Sequence, residues 1–305
     1  LPASEEEKIE YVQPYEKKLE VDISFEIQPG YDNNVDLNSK RRKDGFLQST
    51  ANAEIDYPLT ETMKVEGGVD LFTTIYYIYN VDNIFDVAPY IELDWWITED
   101  YRWQNKIMYD YFSYPNDKAS TYSSVQLSTD MRQYLSDSVY HEIEYRYSER
   151  WYPDRKATRN DGIRDNADRK DNRNTIKYTI GASSATLYLK LSNELYHNNS
   201  NDNFMDYYDY LVYRVRPSIT YFFTDNIFAN TNFSYKLILY DDRRVRENTE
   251  RTVRDNTFTW GTSLFYDLTK NIMLGVTYVY TENVSNEPFN KYSGSIASGG
   301  VYYTF

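Results

Sequence analysis

Cysteine is absent from all 305 residues, which excludes disulfides, thiolate metal sites and cysteine nucleophiles. That absence fits an envelope protein that must avoid oxidation during export. Long apolar runs are missing too. No stretch approaches the ~18 to 20 consecutive apolar residues that a membrane helix needs, so any span must be built from strands. Histidine is scarce, with only His141 and His197 available as bases. His197 precedes Asn198-Asn199-Ser200-Asn201, but the Gly-Arg that follows the histidine of outer-membrane phospholipases is not there. Histidine-plus-acid chemistry would require His197 beside Asp202 or Asp206 at a strand end. With no Gly-rich phosphate loop and no metal-ligand spacing, the sequence assigns no catalytic residue, cofactor or metal, and it weighs against an enzyme. Basic residues are outnumbered, 33 Lys and Arg against 47 Asp and Glu, and the net charge of −14 argues against nucleic-acid binding.

Aromatic residues are abundant instead. Thirty-four Tyr, 14 Phe and 5 Trp accompany a mean hydropathy of −0.75, which is poor material for one apolar core. Tyrosine suits a surface that is apolar on one side and wet at its edge. The last residues, Gly299-Gly300-Val301-Tyr302-Tyr303-Thr304-Phe305, put Val301, Tyr303 and Phe305 on one strand face, as the closing strand of an outer-membrane barrel does. At the other end, Leu1-Pro2-Ala3-Ser4 carries no basic, apolar leader, as expected of a mature form.

Segments of alternating polarity recur along the chain, separated alternately by short and longer polar connections. Six short ones, at Pro58 to Thr62, Ile97 to Asp100, Leu135 to Ser138, Ser183 to Thr186, Thr224 to Asn226 and Thr269 to Asn271, share Thr, Ser, Asp and Asn, which hydrogen-bond their own backbone. Seven longer ones lie at Asp32 to Gly45, Asn80 to Asp86, Pro115 to Ala119, Pro153 to Asn174, Asn198 to Tyr207, Asp241 to Asp255 and Asn283 to Lys291. Together they predict an all-β fold, a transmembrane antiparallel up-and-down barrel of fourteen strands, give or take two. Short turns are periplasmic and longer loops extracellular. Residues 19–305 form the barrel, and Leu1 to Lys18 form a charged periplasmic tail or linker for a periplasmic partner. The other expected partners are outer-membrane lipid, lipopolysaccharide and the barrel-assembly machinery. Pro89 and Pro217 fall within strands and predict a bulge or register defect at each.

Strand parity assigns an inner wall. Glu20, Asp22, Glu26, Glu54, Asp56, Glu66, Asp70, Glu92 and Asp94 form an acidic side over the first four strands, opposed there only by Lys64. Arg102, Lys106, Arg132, Arg146, Lys177, Lys190, Arg214, Arg216 and Lys236 follow on strands five to eleven, with Asp110, Asp130, Glu142, Glu144 and Glu194 among them. Charge segregated in this way sets a transverse field across a watery lumen and so an ion preference. Alternatively, the charges pair and fill a barrel of intermediate width. The Arg- and Asp-dense stretches Asn160 to Asn174 and Asp241 to Asp255 are expected to be solvated hairpin tips; folding inward as a constriction, or contact with surface polysaccharide, is the alternative.

Several stretches carry a family likeness: Arg254-Asp255-Asn256, Tyr266-Asp267-Leu268-Thr269-Lys270-Asn271, Tyr278 and Tyr280, Ser285-Asn286 with Tyr292, and the final Val301, Tyr303 and Phe305. With Gly30-Tyr31-Asp32-Asn33-Asn34-Val35, they resemble the two ends of the β-barrel porin type 2 proteins of Gram-negative outer membranes. The resemblance implies an outer-membrane location. Because that group is linked with polysaccharide-export loci, it also raises an export or assembly role beside the residue-based reading of a charged, passive channel. It brings no set of functional residues.

Overall fold

The computed structural model describes residues 19–38, 41–204 and 207–305; the N-terminal tail assigned from the sequence lies outside them. Fourteen strands form one closed sheet: β1 (Glu20–Asp32), β2 (Asp44–Thr60), β3 (Met63–Tyr76), β4 (Ile84–Thr98), β5 (Tyr101–Ser113), β6 (Tyr122–Ser136), β7 (Val139–Thr158), β8 (Arg164–Ser183), β9 (Leu187–Ser200), β10 (Tyr210–Thr224), β11 (Ile227–Val245), β12 (Asn248–Asp267), β13 (Ile272–Ser285) and β14 (Tyr292–Thr304). Each pairs antiparallel with its chain neighbours, and β14 returns to β1. Closure gives every strand a partner on both sides, the condition for a sheet to cross lipid.

The barrel is turned inside out relative to a water-soluble protein. On β1, Val21, Ile23, Phe25 and Ile27 are exposed outside, while Glu20, Asp22 and Glu26 occupy the alternate positions facing in. Ile91 on β4 and Ile107 on β5 pair directly and are 62% and 60% exposed, an arrangement stable only against lipid.

All six short turns fall where the sequence puts them, and five work the same way. The hydroxyls of Thr60, Thr98, Ser136, Thr224 and Thr269 each accept from the backbone N–H two residues on, at 3.2 to 3.4 Å. At the first four, pairing shifts by one residue just before the turn, between Pro58 and Thr60, Trp96 and Thr98, Tyr134 and Ser136, and Phe222 and Thr224. The extra residue lets the hydroxyl fold over the turn.

Two expectations need correction. Neither Pro89 nor Pro217 shifts the register. Pro89 stays paired with Val69, and the β5 side merely skips from Val87–Tyr111 to Tyr90–Met108 in the same register. Pro217 stays paired with Leu191, and the β11 side skips from Val215–Tyr235 to Ser218–Asn232. A proline lacks one N–H, so it opens one ladder locally and leaves the other intact. The stretches 153–174 and 241–255 are not long loops. β7 and β8 continue outward to a tip at residues 159–163, where Gly162 takes φ 79°, and β11 and β12 are joined by residues 246–247 alone.

Glycine is needed where an inner aromatic crosses a neighbouring strand. A Cβ on Gly181 would lie 2.2 Å from the ring of Tyr140, whose hydroxyl is 2.7 Å from that of Tyr188. Gly181→Val is therefore expected to displace Tyr140 at a cost of about 1–3 kcal/mol. A lower temperature for loss of the compact, heat-modifiable gel band checks this, and adding Tyr140→Ala should restore part of the difference.

Candidate functional site

Hydrogen bonds and ion pairs show how the charged residues assigned to the lumen divide. On the acidic side Tyr90 donates to Glu66 at 2.8 Å and to Glu54 at 3.1 Å, and Lys64 reaches Asp56 at 3.0 Å and Glu66 at 3.9 Å. Glu54, Asp56 and Glu66 offer oxygens within 4.8 Å of one another, and the Lys64 ammonium already supplies the positive charge that their crowding calls for. Asn52 donates to Asp70 at 2.7 Å. Glu20, Asp22 and Glu26 continue the wall along β1.

Arg102 and Lys106 hold carboxylates of this side, whereas Arg132 holds Glu142 on β7. Arg102 grips Asp94, 2% exposed, through two bonds of 2.8 Å, Lys106 lies 3.6 Å from Glu92 and 3.4 Å above the Tyr90 ring, and Arg132 binds Glu142 at 2.9 Å. Planar guanidinium and carboxylate fit edge to edge, which makes these pairs well-oriented struts across the inner wall.

The remaining basic residues converge. Lys177, Glu194, Arg214 and Lys236 sit directly opposite one another on β8 to β11. Lys177 binds Glu144 at 2.6 Å and Arg146 also pairs with Glu144, while Arg214 and Arg216 share Glu194 at 3.0 and 3.5 Å. In front of them lies a cavity of about 670 Å³ lined by Arg146, Arg150, Arg173, Lys177, Lys190, Arg214 and Arg216, with Glu194 the one carboxylate. Lys236 stands beside Arg214 but outside the lining.

Arg173 fell in the stretch read from the sequence as a loop, while Arg150, just before that stretch, was not singled out. Arg169 lies in the same stretch, its guanidinium buried 3.3 Å from the Tyr208 ring centroid and 4.3 Å from that of Tyr152, paired with Asp171. Asp255 is buried as well and accepts from Asn290 at 3.0 Å. The bases of both charged hairpins are therefore packed, not solvated. Burial also raises the Asp82 carboxyl above its usual range, against the pull of Arg42 at 3.7 Å, in the loop between β3 and β4.

Aromatic side chains also line the inside, a feature alternation alone did not reveal. Near the short turns, Trp96 stacks on Tyr134 at 5.7 Å, Tyr134 meets Tyr140 at 6.0 Å, and Phe228 touches Phe222 at 5.5 Å and Phe265 at 4.9 Å. Tyr302 completes that arc at 5.8 Å from Phe265. Toward the loops, Phe112, Tyr122 and Tyr152 form a second stack, and Tyr210 bridges Tyr196 and Tyr240.

Both histidines lie on the outer face. His141 is 2.8 Å from Gln133 Oε1, and His197 lies 3.5 Å from Asp241, not against Asp202; Asp206 is outside the described residues. At the seam, Val301 and Tyr303 share one face of β14, Phe305 follows directly after the strand, Val301 and Phe305 are exposed, and Phe305 N–H donates to Ile23 O at 2.9 Å.

No family model matches the sequence and no curated protein matches it, so the likeness to type 2 porins rests on the residues quoted for it. Solved structures do match in shape. The outer membrane channel DcaP of Acinetobacter baumannii superposes with TM-score 0.57 at 9% identity, over 96% of this chain and 99% of that one. An anion-selective porin from Comamonas acidovorans gives 0.52 at 8% identity, over 95% and 100%. A bacterial polysaccharide outer membrane secretin gives 0.50 at 10% identity, over 93% and 98%. With its apolar exterior and closed fourteen-strand sheet, the chain is a bacterial outer-membrane β-barrel.

Proposed function

We propose that the protein is a passive outer-membrane channel whose charged lumen passes hydrophilic solutes or ions. One observation carries the reading: carboxylates concentrated on β1 to β4 and cations concentrated on β7 to β10 face each other across the barrel, with an open cavity in front of the cations. Such a pair of walls turns a dipolar solute and separates ions by sign. Location of both histidines outside supports a non-enzymatic role. In a planar bilayer, purified protein is expected to give discrete single-channel steps; membranes that stay silent while the heat-modifiable band proves insertion would sink the reading.

A second reading, an export or assembly barrel for a polysaccharide or protein with a periplasmic partner, is favoured by the inner aromatic arcs. Their flat faces suit sugar rings passing from one mouth to the other. Substituting Trp96, Tyr134 and Phe228 with Ala separates the two readings, since small-ion conductance survives their loss and stacking of a polymer does not.

A further inference from the structure

The cations of the cavity outnumber their partners. Lys177 and Arg146 share Glu144, and Arg214 and Arg216 share Glu194. Among the described residues no ion pair includes Arg150, Arg173 or Lys190, although all three line the cavity. Arg173 has neutral partners, donating to Asn198 Oδ1 at 3.3 Å and Tyr210 Oη at 3.3 Å and lying 4.5 Å from the Tyr196 ring, while Arg150 lies 4.8 Å from the Tyr122 ring and stands opposite Asp171, which Arg169 already pairs. The rest of the lining is mostly hydroxyl and amide, from Ser148, Thr175, Ser192, Ser218, Asn230 and Asn232.

Cations in a protein-walled space are costly without counter-charge, and among the described residues no carboxylate stands at ion-pair distance from these three. A monovalent ion answers one of them at a time. A solute bearing several anionic groups answers neighbouring cations of the lining in one event, because its second contact forms at high effective concentration. The volume of about 670 Å³ falls within the range of small-molecule pockets. Carboxylates on β1 to β4 repel such a solute from the far side, which presses it against the cations rather than neutralising them.

We propose that the cavity in front of β7 to β10 is a binding site for small solutes carrying several phosphate or carboxylate charges, drawn there by seven lining cations set against one carboxylate. The proposal rests on the channel reading for its purpose but not for its test. Calorimetric titration of the full chain in detergent micelles with inorganic tripolyphosphate, and with citrate as a second probe, should show binding that sucrose does not. Affinity should fall with added salt and drop by about tenfold or more in R173Q/K190Q, which removes two of the seven positive charges of the lining while keeping much of each side chain. K156Q, on the outer hairpin, should leave affinity unchanged, and a normal heat-modifiable band shows that each variant folds. No heat with the parent protein, or equal affinity in the double variant, overturns the site. Conductance that tripolyphosphate fails to block also overturns it while leaving the channel standing; binding without conductance keeps the site and removes the channel.

Discussion

Changing Arg132, Arg146, Arg214 and Arg216 together to alanine is expected to swing ion selectivity toward cations by about tenfold or more in permeability ratio, since a unit charge a few ångströms from a permeating ion is worth roughly 1–4 kcal/mol. Three of the four line the central cavity, so its seven cations fall to four while Glu194 stays. Glu194 also loses both of its partners and becomes an uncompensated negative charge on the same wall. Arg132 releases Glu142 in the same sense. All four changes therefore act in one direction. Reversal potentials under a KCl gradient measure the shift, best at about 0.1 M, where the Debye length is ~10 Å, and the difference should shrink near 1 M, where it is ~3 Å. Conductance should hold or rise, because four long side chains leave the lumen. Unchanged selectivity would remove these arginines from the ion path.

Replacing Val301, Tyr303 and Phe305 by serine is expected to abolish the barrel rather than weaken it. β1 pairs with β2 along its whole length, but with β14 only from Ser24–Thr304 to Asp32–Ile296, with a skip at Gln28 and Pro29. These three side chains hold that interrupted seam, and Tyr303 packs edge-on against Phe305 at 4.5 Å. If the seam fails, two rows of backbone groups are left in hydrocarbon at several kcal/mol each, so no half-open state is tolerable. Loss of the heat-modifiable band and of detergent-extracted, folded protein is the outcome to look for. Serine at Ile91 and Ile107, equally exposed but within a continuously paired stretch, should cost far less.

Strand number, face and direction were legible because two independent signals agreed. Period-two alternation gave the faces, and the recurring Thr, Ser, Asp and Asn turns gave the ends. Those signals fail where the hairpin of β7 and β8 leaves the lipid. In Lys170-Asp171-Asn172-Arg173-Asn174 both faces are polar, so alternation vanishes although the ladder hydrogen bonds continue. Arg169 and Arg173 were lost with it, and Arg173 is one of the cations that line the central cavity. Inner aromatics were obscured for a different reason. Tyr140 and Tyr90 look like lipid-boundary residues by type, and only their crossing over Gly181 and Gly68 reveals that they pack inward. How the charges divide was also beyond a list of positions, because Arg102 and Arg132 are basic in sequence but serve carboxylates on adjacent strands.

Segregation of charge around the circumference has a further consequence for electrical behaviour. The carboxylates run along β1 to β4 from Glu20 near one mouth to Asp32 and Asp86 near the other, so the wall's moment lies in the plane of the bilayer. A transmembrane potential acts along the pore axis and does work only on charge displaced along it. The barrel wall therefore offers voltage almost no lever, and its conductance should be ohmic, with any rectification arising in the extracellular hairpins.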